Sequence, residues 1–219
     1  SQNQGGIWAP AGPTVDASGN LYVTTGNSAS QSAYDDGDAV IKLSGALQQP
    51  TFFAPSNWRQ LNSDDLDLGS QSPSLLQGGF LFQAGKQGVG YVIPPSLGGI
   101  GGQVSTGQVC SGAYGGTAYA APTVYVACLN GVVAVTVNGA GAMSTAWRSS
   151  SFDAGAPILA DGALWVLDDN SATLEEFNPS SGQLLHSVKV PTVAHFATPS
   201  ASGGMIFVAS NRSIEAFHA

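Results

Sequence analysis

The chain reads as an all-β fold, a β-propeller of about five four-stranded blades, and three observations predict it. First, one unit recurs: a Pro, a strand-like run, a Gly-containing turn and a second run, beginning at Pro13, Pro73, Pro122, Pro157 and Pro199. Second, the runs are built from β-branched and aromatic residues bounded by Gly, Asn or Asp, the grammar of short hairpins. Third, no stretch places apolar residues at the 3.6-residue period, so essentially no helix is expected. Units that cannot bury their apolar faces alone must stack on one another, which makes residues 1–219 a single domain.

The five copies are "GPTVDASGNLYVTTGN", "SPSLLQGGFLFQAGKQG", "APTVYVACLNG", "APILADGALWVLDDN" and "TPSASGGMIFVASNR". In the last two, "ADG" and "SGG" supply the positive-φ positions that a tight turn needs. A third strand follows in most copies, at 39–44, 90–94, 132–137, 173–178 and 213–218. Fourth strands are fainter, with "TAWRSS" and "LLHSVKV" the clearest. The fifth copy stops after its third strand, and "GGIWA" at 5–9 is placed to complete that blade, closing a ring and removing its sheet edges.

Composition narrows the partners. The net charge of −8 reflects a scarcity of bases, because the six Lys and Arg residues are scattered singly. Nucleic acid and anionic membranes are poor partners for such a surface. Charged residues make up 9% of the chain, and the rest of the polar surface is hydroxyl- and amide-rich, as in secreted all-β proteins. No apolar run reaches the ~18–20 residues needed to span a bilayer. The stretch "SQNQGGIW" lacks the charged and apolar regions of an export signal, so for an exported chain the signal has been removed or was never part of this sequence. Cys110 and Cys128 are the only cysteines. A disulfide between them is the preferred reading, two buried thiols the alternative, and no His stands at zinc-ligand spacing.

Residues 62–73, "NSDDLDLGSQSP", concentrate three acids, Asp64, Asp65 and Asp67. They can cap turns by accepting backbone N–H bonds, hold a cation, or supply a base. The similar "YDDGD" at 34–38 lacks the terminal acid of an EF-hand, since its twelfth position is Ala46, and reads as a solvated loop. "AGKQG" around Lys86 has no Ser or Thr for magnesium and is not a phosphate loop. His186, His195 and His218 are separated along the chain and no Ser sits in a nucleophile elbow. His195 in "VAHFATP" precedes a Pro-led inner strand and is a candidate for the channel mouth. Trp58, Trp147 and Trp165 read as packing between blades, while Tyr114 and Tyr119, set among Gly, can present rings to a ligand.

"GGIWAPAGPTVDASGNLYVTTGN", "DLDLGSQSPSLL" and "QAGKQGVGYVI" resemble the pyrroloquinoline-quinone (PQQ) alcohol dehydrogenase family and secreted actinobacterial propellers with quinoprotein-like repeats. The likeness is strongest over residues 5–94. Family members normally have eight blades, so the resemblance implies a five-bladed variant or the C-terminal part of a larger propeller. It also implies roles for three residues. The family's Asn beside calcium matches Asn27 of Gly26-Asn27. Its catalytic Asp, in a His-Asp-x-Trp-Asp motif, matches Asp67, with Ser63 and Leu66 where the motif has His and Trp. Its quinone-contacting Lys or Arg, in a Gly-Lys-x-Gly-x-x-Tyr turn, matches Lys86. Asn27 and Asp67 would then be calcium ligands, Asn27 and Lys86 cofactor contacts, and Asp67 the base.

Two functions follow as expectations. One is a secreted, non-catalytic binding module that holds a small molecule, glycan or protein on the loops of one propeller face, with no cofactor required. The other is a PQQ- and calcium-dependent alcohol or sugar dehydrogenase, or a portion of one.

Overall fold

The structure is a computed structural model that describes residues 4–48 and 50–219; the first three residues of "SQNQGGIW" lie outside it. Among the described residues twenty strands form five sheets, antiparallel throughout except for one pairing in the first and, apart from that one added strand, in chain order. The first contains β1 (Thr14–Val15), β2 (Leu21–Thr24), β3 (Val40–Leu43) and β4 (Thr51–Ala54), with β8 (Gly99–Ile100) added parallel to β4. The second contains β5 (Ser74–Leu75), β6 (Leu81–Gln83), β7 (Val89–Ile93) and β9 (Ser105–Gln108). The third contains β10 (Ala113–Ala120), β11 (Thr123–Cys128), β12 (Gly131–Val137) and β13 (Met143–Arg148). The fourth contains β14 (Ile158–Ala160), β15 (Ala163–Asp168), β16 (Thr173–Phe177) and β17 (Leu184–Lys189). The fifth contains β18 (Ser200–Ser202), β19 (Met205–Ser210) and β20 (Ser213–His218). This is the propeller architecture that the repeats predict.

The sequence explains which strands sit inside. β12 "GVVAVTV" and β15 "ALWVLD" are almost continuously apolar and almost wholly buried, because both of their faces are covered by neighbouring sheets. The outer strand β17, "LLHSVK", is exposed along its length. Each of four core clusters bridges one successive pair of sheets. Phe53 of the first sheet meets Leu81 and Ile93 of the second, and Phe82 of the second meets Val124 and Val133 of the third. Tyr125 of the third meets Leu164 and Val166 of the fourth, and Leu167 of the fourth meets Ile206 and Val208 of the fifth. Full burial of a side chain such as Phe53 or Phe82 contributes about 1.5–3 kcal/mol.

Four expectations need correction. Pro122 does not open the third blade: it lies in the turn between β10 and β11, after a cis Ala121–Pro122 bond. The Gly- and Tyr-rich stretch before it is itself the first strand, β10, whose glycines hid it. The segment 5–9 does not complete the fifth blade. Ile7 pairs with Thr25, and the Gly26 N–H donates to the Gly6 carbonyl, so the segment edges the first sheet and the fifth has three strands among the described residues. A short helix also exists, α1 (Trp58–Asp64), which buries Trp58 and Leu61 at i and i+3. Trp58 therefore packs from a helix and not from a blade, with Tyr34 edge-on to it. Finally, "YDDGD" is not wholly solvated, because Asp38 is fully buried.

In an antiparallel blade, turns alternate between the two ends. The turns between second and third strands, and the connections from one blade to the next, therefore share one face, here called the upper face. Residues 25–39, 55–73, 84–88, 149–157, 169–172 and 190–199 all emerge there. Asn27, Asp67, Lys86 and His195 are thus brought to one face by topology alone. No helix among the described residues is long and apolar enough to cross a membrane.

Candidate functional site on the upper face

Asn27, Asp67 and Lys86 converge. The Asn27 N–H donates to Asp67 Oδ1 at 2.8 Å, and Lys86 Nζ lies 2.5 Å from Asp67 Oδ2. The Lys86 N–H also donates to the Asp67 carbonyl. Lys86 reaches Asp65 Oδ2 at 3.0 Å, Asn27 Nδ2 donates to Asp65 Oδ1, and the ammonium lies 5.2 Å from the Trp8 ring. The turn that presents Lys86 is possible because a side chain is missing twice. A Cβ on Gly85 would stand 2.7 Å from the Asp67 carbonyl oxygen, and Gly88 has φ of 72° against the Cys110 carbonyl.

The helix α1 holds the other wall. Asn62 accepts from the Ser28 N–H and donates to Ser28 Oγ and the Ser30 carbonyl, while Arg59 donates to the Gln31 and Ser32 carbonyls. The three acids of "SDDLD" divide by position. Asp64 is exposed and accepts from the Ser63 hydroxyl. Asp65 closes α1 in the left-handed region with φ of 56°. Asp67 is buried and paired. Asp38, which sequence reasoning missed, accepts the Leu68 N–H at 2.8 Å beneath them. Burial, with the Asp67 charge nearby, pushes its carboxyl up to about 7 against the pull of that N–H bond. Burial alone would lower Lys86, but its bonds to Asp67 and Asp65 outweigh this and hold the ammonium above its ordinary value.

This donor set does not suit a calcium ion. Both oxygens of Asp67 are already engaged, one by an ammonium, and no three His, Cys, Asp or Glu side chains among the described residues converge to hold a metal. Asn27 Oδ1 and Asp38 Oδ2 are buried without a hydrogen-bond partner, two oxygens that fall short of the roughly six to eight a calcium ion takes. The geometry therefore derives no step through calcium or a quinone.

His195 lies at a second place on the same face. Its Nδ1 is 3.5 Å from Asp169 Oδ2, and both residues line a cleft with Tyr114, Leu129, Asp153 and Phe196. The His195 and Phe196 rings lie 3.9 Å apart. Burial, then the Asp153 charge, raise the Asp169 carboxyl, against His195 and the Phe196 N–H. Asp169 was not found from sequence. Its signal was the doubled acid of "LDDN": Asp168 caps the turn by accepting from the Asn170 and Ser171 N–H groups, which leaves Asp169 surplus to that need. Tyr114 reaches this cleft, whereas Tyr119 accepts the Gln77 N–H on the lower side. Cys110 and Cys128 form a disulfide with Cα atoms 6.1 Å apart, joining the connection before β10 to the end of β11.

The propeller architecture recurs in solved structures. A streptogramin B lyase superposes with a TM-score of 0.62 at 13% identity, over 100% of this chain and 70% of that one. BamB from Moraxella catarrhalis gives 0.59 at 13% identity, over 93% of this chain and 65% of that one. The β-propeller domain of Cps50 (Swd1) from Myceliophteria thermophila gives 0.70 at 6% identity, over 99% and 71%. At these identities the likeness defines the fold, a β-propeller. No protein-family model matches the chain, and no curated protein matches it by sequence.

Proposed function

We propose that the chain is a secreted, non-catalytic binding module of quinoprotein-like ancestry that holds a small molecule, glycan or protein on the upper face. The observation that carries this reading is the closed pairing of Asp67. A carboxylate that already accepts the Asn27 N–H and faces the Lys86 ammonium is satisfied inside the protein and is poorly placed to take a substrate proton. The disulfide supports extracellular placement, because such bonds persist in oxidising compartments.

The convergence of Asn27, Asp67 and Lys86 favours the other reading, a PQQ- and calcium-dependent alcohol or sugar dehydrogenase. The two separate cleanly. Titration with PQQ and calcium, followed by absorbance and by dye reduction with alcohols and aldoses, is expected to show neither saturable binding nor turnover. Saturable turnover abolished by Asp67→Asn would overturn the binding-module reading.

A further inference from the structure

The cleft at His195 has the makings of a site whose ligand can be named by chemistry. It draws on three successive blades: Tyr114 from the third, Asp169 from the fourth, and His195 with Phe196 from the connection into the fifth. Its polar wall is acidic, with Asp153 and Asp169, and none of the six Lys and Arg side chains lines it. The Asp169 side chain is only 10% exposed, and its Oδ1 is buried without a hydrogen-bond partner. That oxygen faces the cleft at its Gly155 wall, where a Cβ would stand 3.2 Å away. Gly155 itself lines the cleft, and a Cβ there would also stand 2.9 Å from the Ala197 carbonyl oxygen, so the missing side chain is what lets this wall close up beside the acceptor.

We propose that this cleft binds a primary alkylammonium group, with the nitrogen donating to Asp169 Oδ1 and the alkyl stem lying against Leu129, Ala154 and Phe196. This rests on the binding-module reading and names its ligand class. A buried carboxylate with an open lone pair is costly until an N–H donor meets it, and a charged donor gains the most. A primary ammonium supplies both the charge and the N–H, which a metal ion or a quaternary ammonium does not. The rings of Tyr114 and Phe196 add a cation-attracting surface. The raised Asp169 carboxyl is what an anion short of its cation displays. His195 does not close the gap, since it faces the other oxygen, Oδ2, at the outer limit of a hydrogen bond.

The test is amide chemical-shift titration of the isotope-labelled chain at neutral pH and fixed ionic strength. The probes are butylammonium, its neutral isostere butan-1-ol, and Nα-acetyl-lysine amide. Butylammonium is expected to give saturable shifts at Asp169, His195 and Phe196, with butan-1-ol at least about tenfold weaker. Asp169→Asn should weaken butylammonium by a similar factor. Equal binding of the alcohol, wild-type affinity in the variant, or no saturable shift at those amides would each overturn the proposal. The ammonium-against-alcohol contrast needs only the wild-type chain, so it stands even if the variant does not fold. Lysine amide binding at least as well as butylammonium would assign the group to a peptide side chain, and weaker binding to a free amine; either result supports the alkylammonium class. PQQ turnover would sink the binding-module reading without touching these shifts, and their absence would sink this proposal without restoring a dehydrogenase.

Discussion

Lys86 and Asp67 form a pair in which each side chain is mostly hidden from solvent, at 17% and 5% exposure. Removing one charge of such a pair strands the other, so Lys86→Met is expected to cost about 3 kcal/mol in urea unfolding. The double variant Lys86→Met with Asp67→Asn should recover part of that loss, because no unpaired charge then remains. Asp38 makes a different prediction. Its folded carboxyl titrates near 7 against an ordinary 3.8, so between those values the folded chain binds more protons than the unfolded one. Its stabilising share is therefore complete below the ordinary value and is lost as pH rises through about 7, by at most about 1.4 kcal/mol per pH unit. Urea midpoints measured from pH 4 to 8 should show this decline in the wild-type chain relative to Asp38→Asn. Asp67 and Lys86 were legible because they sit in recognisable motifs. Asp38 was not, since nothing in "YDDGD" reveals that a later loop folds over it and supplies the Leu68 N–H.

Strands were the most legible elements. β12 and β15 are dense in β-branched and aromatic residues and buried on both faces, and β19 alternates buried Ile206, Val208 and Ser210 with more open neighbours, so each leaves a run that can be read without a template. β10 escaped notice because "AYGGTAYA" carries two glycines and a register shift against β11. The helix α1 escaped because seven residues with two buried apolar positions give too short a window for periodicity. The disulfide ties β11 to the connection before β10, closing a loop with a sequence separation of 18. Reduction, or Cys110→Ala with Cys128→Ala, should lower stability by about 3 kcal/mol, seen as a fall in the urea midpoint with the far-ultraviolet spectrum retained.

At the scale of the whole molecule, the sequence revealed that sheets succeed one another but not how the two ends are used. Short apolar segments such as "GGIWA" pair with whichever strand edge lies nearest, here the extension of β2 at Thr25 and Gly26. The core clusters join neighbours in series, so stability should be graded along the series. Among the described residues the fifth sheet has three strands, and Ile214 of the outermost is 73% exposed, so its protection depends most on a single neighbour. Hydrogen exchange is expected to be fastest in β18–β20 and slowest in β6, β7, β11 and β12; uniform protection across all five sheets would contradict serial coupling. Serial cohesion also sets the order in which the two upper-face clusters fail. Mild heat that loosens the last sheet removes His195 and Phe196 from beside Asp169 while Asp67 and Lys86, held between the first and second sheets, remain docked. An ammonium held at Asp169 would thus be released while the packing around Trp58 was still intact, with Trp165, in the cluster that loosens first, reporting the change.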